Sequence, residues 1–208
     1  MPMPPWVFGC FVGTSLLAAL FLTPLAATLA RRFGVMDHPD PRKIHRTPKP
    51  LLGGLAVFLA FNAVVFGALG LGLLALHSGQ SPLVPAFLRT YLANIADDSG
   101  HVLWRLGLIG AGGLAVFLLG LWDDLKDLSV RRRLFFQFVI AGFVVFAGVR
   151  PELGFLPHPI AMAAAVVWIV GIMNAFNFID GLDGLAAGVG AIAAAILAAA
   201  MVRWDQPL

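Results

Sequence analysis

The residues of this sequence best suited to chemistry are five aspartates in two short stretches. In W-D-D-L-K-D, Asp123, Asp124 and Asp127 lie within one and a half helical turns of each other. On a helix Asp123 and Asp127 share a face, and Asp124 lies about 100° round. Carboxylates so close repel one another and need a cation, or must take up protons. Oxygen-only ligation with no His or Cys suits Mg²⁺ or Mn²⁺, and Mg²⁺ held this way usually also binds substrate phosphates. The competing reading is a helix end solvated by water beside Lys126 and Arg131, because charges commonly flank membrane spans.

The second stretch, N-A-F-N-F-I-D-G-L-D-G-L-A-A-G, puts Asn174, Asn177, Asp180 and Asp183 at threefold spacing between two apolar runs. A continuous helix turns such a row by about 60° per step, so the four cannot share a face. Gly181 and Gly184 allow the backbone to break there. Irregular backbone at membrane depth survives where it lines a cavity, and acids at that depth point to binding or catalysis. A third stretch, V-M-D-H-P-D-P-R-K-I-H-R-T-P-K-P-L-L-G-G, is held extended by Pro39, Pro41, Pro48 and Pro50. Its Arg42, Lys43, His45, Arg46 and Lys49 could reach an anionic substrate, with Gly53 and Gly54 permitting close backbone approach. It reads equally well as a basic loop that only orients the chain. For Arg131, Arg132 and Arg133 orientation is the favoured reading over phosphate contact.

The elements that must position these residues are membrane helices. Hydrophobic residues make up 60% of the 208 positions and charged ones 12%, with a mean hydropathy of +0.90, against roughly 25% charged in a soluble domain. Six apolar segments, Trp6 to Ala30, Leu52 to Leu76, Val102 to Leu121, Leu134 to Val149, Pro159 to Phe178 and Leu185 to Val202, read as helices rather than barrel strands because none alternates. The fourth is short. The N-terminus lacks a positive n-region and a cleavage site, so the first segment reads as an uncleaved span. Cys10, the single cysteine, excludes a disulfide framework and a cysteine metal site. The loop from His77 to His101 contains Leu83, Val84, Phe87, Leu88, Tyr91, Leu92 and Ile95 at helical spacing, and is either an interfacial helix or a plain connector. Gly107, Gly110, Gly112 and Gly113 read as helix-packing positions.

Charge sets the orientation. Loops 31–51, 122–133 and 179–184 carry ten of the 14 Lys and Arg, which makes that side cytoplasmic and puts the N-terminus outside. The basic surplus is thereby explained without a nucleic-acid partner. Seven of the 11 acids share that side, although the positive-inside rule makes no demand on acids. The expectation is an all-α, polytopic transmembrane bundle of about six spans, a single integral membrane domain over 1–208. Its odd-numbered loops bring a basic segment, a triple-Asp cluster and an Asn/Asp break together for divalent-metal phosphate chemistry.

The three motifs together, D-H-P-D-P-R-K-I-H-R-T-P-K-P-L-L-G-G, W-D-D-L-K-D-L-S and N-A-F-N-F-I-D-G-L-D-G-L-A, closely resemble the polyprenyl-phosphate N-acetylhexosamine-1-phosphate transferases. The R-K-x-H loop looks more like undecaprenyl-phosphate GlcNAc-1-phosphate transferases than phospho-MurNAc-pentapeptide translocases. The resemblance implies that a polyprenyl phosphate attacks the β-phosphorus of a UDP-linked amino sugar in cell-wall or surface polysaccharide biosynthesis. The products are a polyprenyl-pyrophosphoryl sugar and UMP, and the cofactor is Mg²⁺, with Mn²⁺ as the alternative. It assigns Asp123 and Asp124 to catalysis, Asp123, Asp124 and Asp183 to the metal, and Lys43, His45, Asn174, Asn177, Asp180 and Asp183 to substrate. It implies a multi-pass protein of the cell (inner) membrane with its site facing the cytoplasm, and allows a homodimer. Direct attack and an aspartyl-phosphate intermediate both stay open.

One departure stands out. The family continues into further spans with an N-x-x-P-A-x-x-F-M-G-D-x-G-S segment, whereas this sequence stops at Leu208 with no His after His158. It therefore reads as the N-terminal part of a longer fold. Competing readings are phospho-MurNAc-pentapeptide transfer, a transporter-like fragment whose acids carry protons or cations, a D-D-x-x-D prenyltransferase, and a structural remnant. Residues 1–208 by themselves are expected to release no UMP from UDP-GlcNAc. Robust release by the purified 208-residue chain would overturn that expectation.

Overall fold

A computed structural model of the chain describes residues 5–37, 39, 47–77, 99–149, 156–181 and 184–203. Each of the six apolar segments forms a helix: α1 Pro5–Phe33, α2 Gly53–His77, α3 Ser99–Lys126, α4 Val130–Phe146, α5 His158–Ile179 and α6 Leu185–Arg203. Four of them are long and apolar enough to cross a membrane, over Gly9–Phe33, Gly53–Gly72, Gly100–Lys126 and His158–Ile179. α6 adds a shorter apolar helix over Leu185–Ala200. α4 has only 17 residues and opens on Arg131, Arg132 and Arg133, so its rise of about 25 Å falls below the roughly 30 Å hydrocarbon core. The architecture is the expected all-α polytopic bundle. Large apolar side chains such as Phe21, Leu71, Trp168 and Phe178 remain exposed, because lipid is as apolar as they are and gives them no reason to turn inward.

Helices that are neighbours in sequence pack on one another. α1 ends in a Schellman turn: Gly34 takes φ 70°, its N–H donates to Arg31 O, and Val35 N–H donates to Ala30 O at 2.9 Å. The chain then enters a two-stranded antiparallel ladder, β1 Met36–Asp37 with β2 Lys49–Pro50, pairing Met36 with Pro50 and Asp37 with Lys49. The sequence reading had an extended loop here but no pairing. Its ends are brought together because α1 and α2 pack against each other through Ala26, Ala30, Leu52 and Ala56. Ala26 and Ala30, four apart on α1, and Ala56 of α2 let the backbones approach closely. Val35 and Met36 at the base of the first loop pack on this cluster, as does Leu121 of α3, two residues before Asp123. Lys43 and His45 lie outside the described residues, as does the segment 83–95 read as an interfacial helix or connector.

α3 lies between α2 and α4. A Cβ on Gly112 would stand 2.8 Å from Val144 Cγ2, one on Gly110 3.3 Å from Asn62 Oδ1, and one on Gly113 3.7 Å from Phe58. These three glycines serve packing, as expected. Gly107 has nothing within 4 Å and does not. At the far end of α3, Trp104 Nε1 donates to Ala147 O at 3.2 Å, capping the last carbonyls of α4.

Val144 is β-branched and cannot swing aside cheaply. Gly112→Ala is therefore expected to destabilise the bundle by about 1–3 kcal/mol through overpacking. Adding Val144→Ala should recover most of the loss, whereas Gly107→Ala should be neutral. Thermal unfolding of the three variants in one detergent checks the ordering.

Candidate functional site

The last turn of α3 carries W-D-D-L-K-D, and the helix stops inside it. Asp127 adopts φ 46°, the left-handed region, and its N–H donates to Asp123 O at 2.8 Å. This is a left-handed helix cap, in which a short polar Asp is among the few non-glycine residues tolerated. The expected shared face of Asp123 and Asp127 is therefore absent, because Asp127 is no longer helical.

Asp123 turns toward α4 instead. Its Oδ1 accepts the Leu128 N–H at 3.0 Å and its Oδ2 accepts Arg133 NH1 at 3.0 Å. The pair is largely shielded, with side chains 25% exposed for Arg133 and 19% for Asp123. Arg133 thus supplies the countercharge that the clustered carboxylates called for. The sequence reading gave Arg133 to orientation, because proximity across a three-residue turn cannot be seen in a charge count. Asp124, one residue on, is exposed.

The second motif behaves as its spacing requires. Asn174 and Asn177 are helical, α5 ends at Ile179, and Asp180 is its exposed C-cap, donating its N–H to Phe176 O at 3.1 Å. Gly184 takes φ 83° just before α6, so the predicted break is present. Asp183 lies outside the described residues. Asn174 Nδ2 donates to Gln137 Oε1 at 2.7 Å and to Val170 O at 2.8 Å, which uses both of its amide protons within the protein. Gln137, only 5% exposed, was missed by the sequence reading. A signal was available, since a lone polar residue within an apolar span is a functional candidate by default.

These elements meet at one cavity of about 350 Å³ between α3, α4 and α5. Its polar wall is Asp123, Arg133, Gln137 and Asn177, and the rest is apolar, including Leu119, Met173 and Phe176. Phe176 is backed by Gly190 of α6, where a Cβ would sit 3.5 Å from its ring. Among the described residues Arg133 Nε is buried with no hydrogen-bond partner, and the Arg133 side chain as a whole gives the cavity wall a cation that suits an anionic ligand.

Among the described residues no three Asp, Glu, His or Cys side chains converge as a metal cluster. The donor chemistry still fits a hard cation, because Mg²⁺ is commonly held by one or two carboxylates and completed by waters and substrate phosphates. Asp123 and the Asn177 carboxamide, both lining the cavity, are oxygen donors of that kind.

The chain was compared with known proteins. Residues 106–206 match Glycosyl transferase family 4. A Bacillus subtilis (strain 168) protein named "Probable undecaprenyl-phosphate N-acetylglucosaminyl 1-phosphate transferase" is 32% identical over 196 residues, covering 88% of this chain and 45% of that protein. The decaprenyl-phosphate N-acetylglucosaminephosphotransferase of Mycobacterium leprae (strain TN) is 31% identical, covering 87% of this chain and 42% of that protein. The phospho-N-acetylmuramoyl-pentapeptide-transferase of Deinococcus radiodurans is 30% identical, covering 85% of this chain and 56% of that protein. The chain thus spans about half the length of the curated relatives it matches. No solved structure matches it. With these relatives along most of its length, the chain is similar to polyprenyl-phosphate N-acetylglucosamine-1-phosphate transferases and, over residues 106–206, to Glycosyl transferase family 4.

Proposed function

We propose that the protein transfers a sugar-1-phosphate, GlcNAc-1-phosphate by preference, from a UDP-sugar to a polyprenyl phosphate and releases UMP. The observation that carries this reading is the shared cavity, where Asp123, Arg133 and Asn177, drawn from two separate motifs and the first turn of α4, face one space. Names borne by the relatives supply the substrate class. In the reaction an oxygen of the lipid phosphate bonds to the β-phosphorus of the donor. The bond from that phosphorus to its bridging oxygen breaks, and UMP carries the oxygen away. Such transfers ask mainly for positioning and charge neutralisation.

The protein's own groups divide that work. Asp123 and Asp124 stand at the reacting phosphates, one accepting the proton of the lipid phosphate. Arg133, already paired to Asp123 through NH1, lends its cationic guanidinium to the phosphate side of the cavity. Asn177, Asp180 and Asp183 line the nucleotide side, joined by Asn174 through its Oδ1, while Lys43 and His45 of the first loop hold phosphate. Asp123, Asp124 and Asp183 are the ligands we assign to Mg²⁺, with Mn²⁺ as a substitute. When bound, the ion neutralises developing charge on the pyrophosphate. The site faces the cytoplasm and the N-terminus lies outside, on the charge asymmetry of the short loops. We place the protein in the inner membrane, able to form a homodimer.

The test is Mg²⁺-dependent UMP release from UDP-GlcNAc with undecaprenyl phosphate, by the protein expressed from its whole gene. Asp124→Asn, at an exposed position, should leave melting unchanged yet cut release by about 10²-fold or more. Asp123→Asn should cut it as far and also lower the melting temperature, because it weakens the link to Arg133. Undiminished release in both variants would refute the assignment, as would full activity in the presence of a chelator.

A further inference from the structure

We propose that Gln137 is a positioning residue, setting the rotation of α5 about its axis and thereby the direction in which Asn177 faces the cavity. The consequence for a ligand rests on the transferase reading, but the positional claim does not. Gln137 is the sole buried polar side chain among the described residues. It sits one turn beyond Arg133 and begins the buried stripe Gln137, Ala141, Val145 of α4. That stripe lies against α5, whose buried residues are Ala161, Ala165 and Val170.

Three of these six buried residues are alanine and none is larger than glutamine, so the apolar surface is shallow. Small side chains allow close approach but offer few knobs to resist rotation or sliding. What distinguishes one register of this pair from the next is the directional bond from Asn174 Nδ2 to Gln137 Oε1 at 2.7 Å. The second Asn174 proton is held by Val170 O, so its carboxamide is fixed to α5 on one side and to α4 on the other. Asn177 follows three residues later, about 60° round the same helix. A slip of α5 by one residue turns it by about 100° and would carry Asn177 out of the cavity. Gln137 lines that cavity too, so the bond sets the wall that a ligand would meet.

The test is a distance measurement by pulsed electron resonance on the chain in lipid nanodiscs. Spin labels are placed at Leu125→Cys on α3 and Phe178→Cys on α5, both exposed, with Cys10→Ser removing the native thiol. The parent should give one narrow distance distribution. Gln137→Met, which keeps the shape and removes the acceptor, should widen it at least twofold. Asn174→Leu should do the same, and the double variant should be no wider than either. The exchange Gln137→Asn with Asn174→Gln, which keeps the combined length of the pair, should restore the narrow distribution.

An unchanged distribution in Gln137→Met, or widening in the double variant equal to the sum of the two, would overturn the proposal. UMP titration of the unlabelled protein expressed from its whole gene adds the ligand arm, with Gln137→Met expected to weaken binding about tenfold without lowering the melting temperature. If the parent binds no UMP, the transferase reading fails while the distance measurement still decides the role of Gln137.

Discussion

A single carboxylate, that of Asp123, ties α3 to α4 at the site. One oxygen closes the turn after α3 by accepting the Leu128 N–H, and the other accepts the Arg133 guanidinium from the first turn of α4. Because both partners are mostly shielded from water, the attraction is screened less than at an exposed surface, and losing either partner would leave a poorly solvated charge. The turn from Asp127 to Ser129 can therefore stay at three residues, with Asp127 absorbing the reversal in a left-handed conformation. Everything beyond it on α4, Gln137 included, is placed relative to Asp123 by that pair. The arrangement also accounts for how an acid and an arginine can share a largely apolar pocket, since they line it as a paired couple.

Two kinds of contact then divide the labour. Glycine and alanine bring helices close, most tightly where Gly112 meets Val144, and supply proximity without direction. Polar contacts supply direction. An interhelical hydrogen bond in a membrane protein is worth about 0.6 kcal/mol on average, too little to hold a bundle together. It is enough to favour one register over another when the apolar surface is nearly indifferent. The same division holds at the first loop, where Ala26, Ala30 and Ala56 bring α1 against α2 and the ladder from Met36 to Pro50 fixes how the chain crosses between them. Leu121, two residues before Asp123, packs on the same α1–α2 cluster as Val35 and Met36 at the base of the basic loop.

Much of this was legible in the sequence. The six apolar runs match the six helices to within a few residues, because hydrocarbon forces internal hydrogen bonding and composition alone reveals it. The break after Asn177 was legible as well, since threefold spacing of polar residues beside Gly181 and Gly184 is incompatible with one continuous face. The pairing of Asp123 was not. Periodicity predicted that Asp127 would stay on the helix, and nothing in the residue order says that α3 stops at Lys126 or that Arg133 folds back over the turn. Gln137 was hidden for a related reason. Its value depends on Asn174, 37 positions away, and a pairwise contact between segments leaves no trace in the pattern of either. Gly107 marks the opposite error, a small residue in a packing run that faces open space.

α4 raises a question of biogenesis. A helix of 17 residues that begins with three arginines and buries a glutamine is a poor substrate for independent entry into a bilayer, where a central Arg or Lys costs about 2.5 to 3.5 kcal/mol on insertion scales. Its arginines gather at one end, where long side chains can reach the headgroups, and its glutamine finds its acceptor role only once α5 is alongside. α4 is thus a helix whose membrane residence is conferred by its neighbours. Translation order suits that dependence, because α3 is already in place when α4 emerges and α5 follows after a short connection. The segment that carries half of the cavity's polar wall is therefore committed to lipid only together with the segment that completes it.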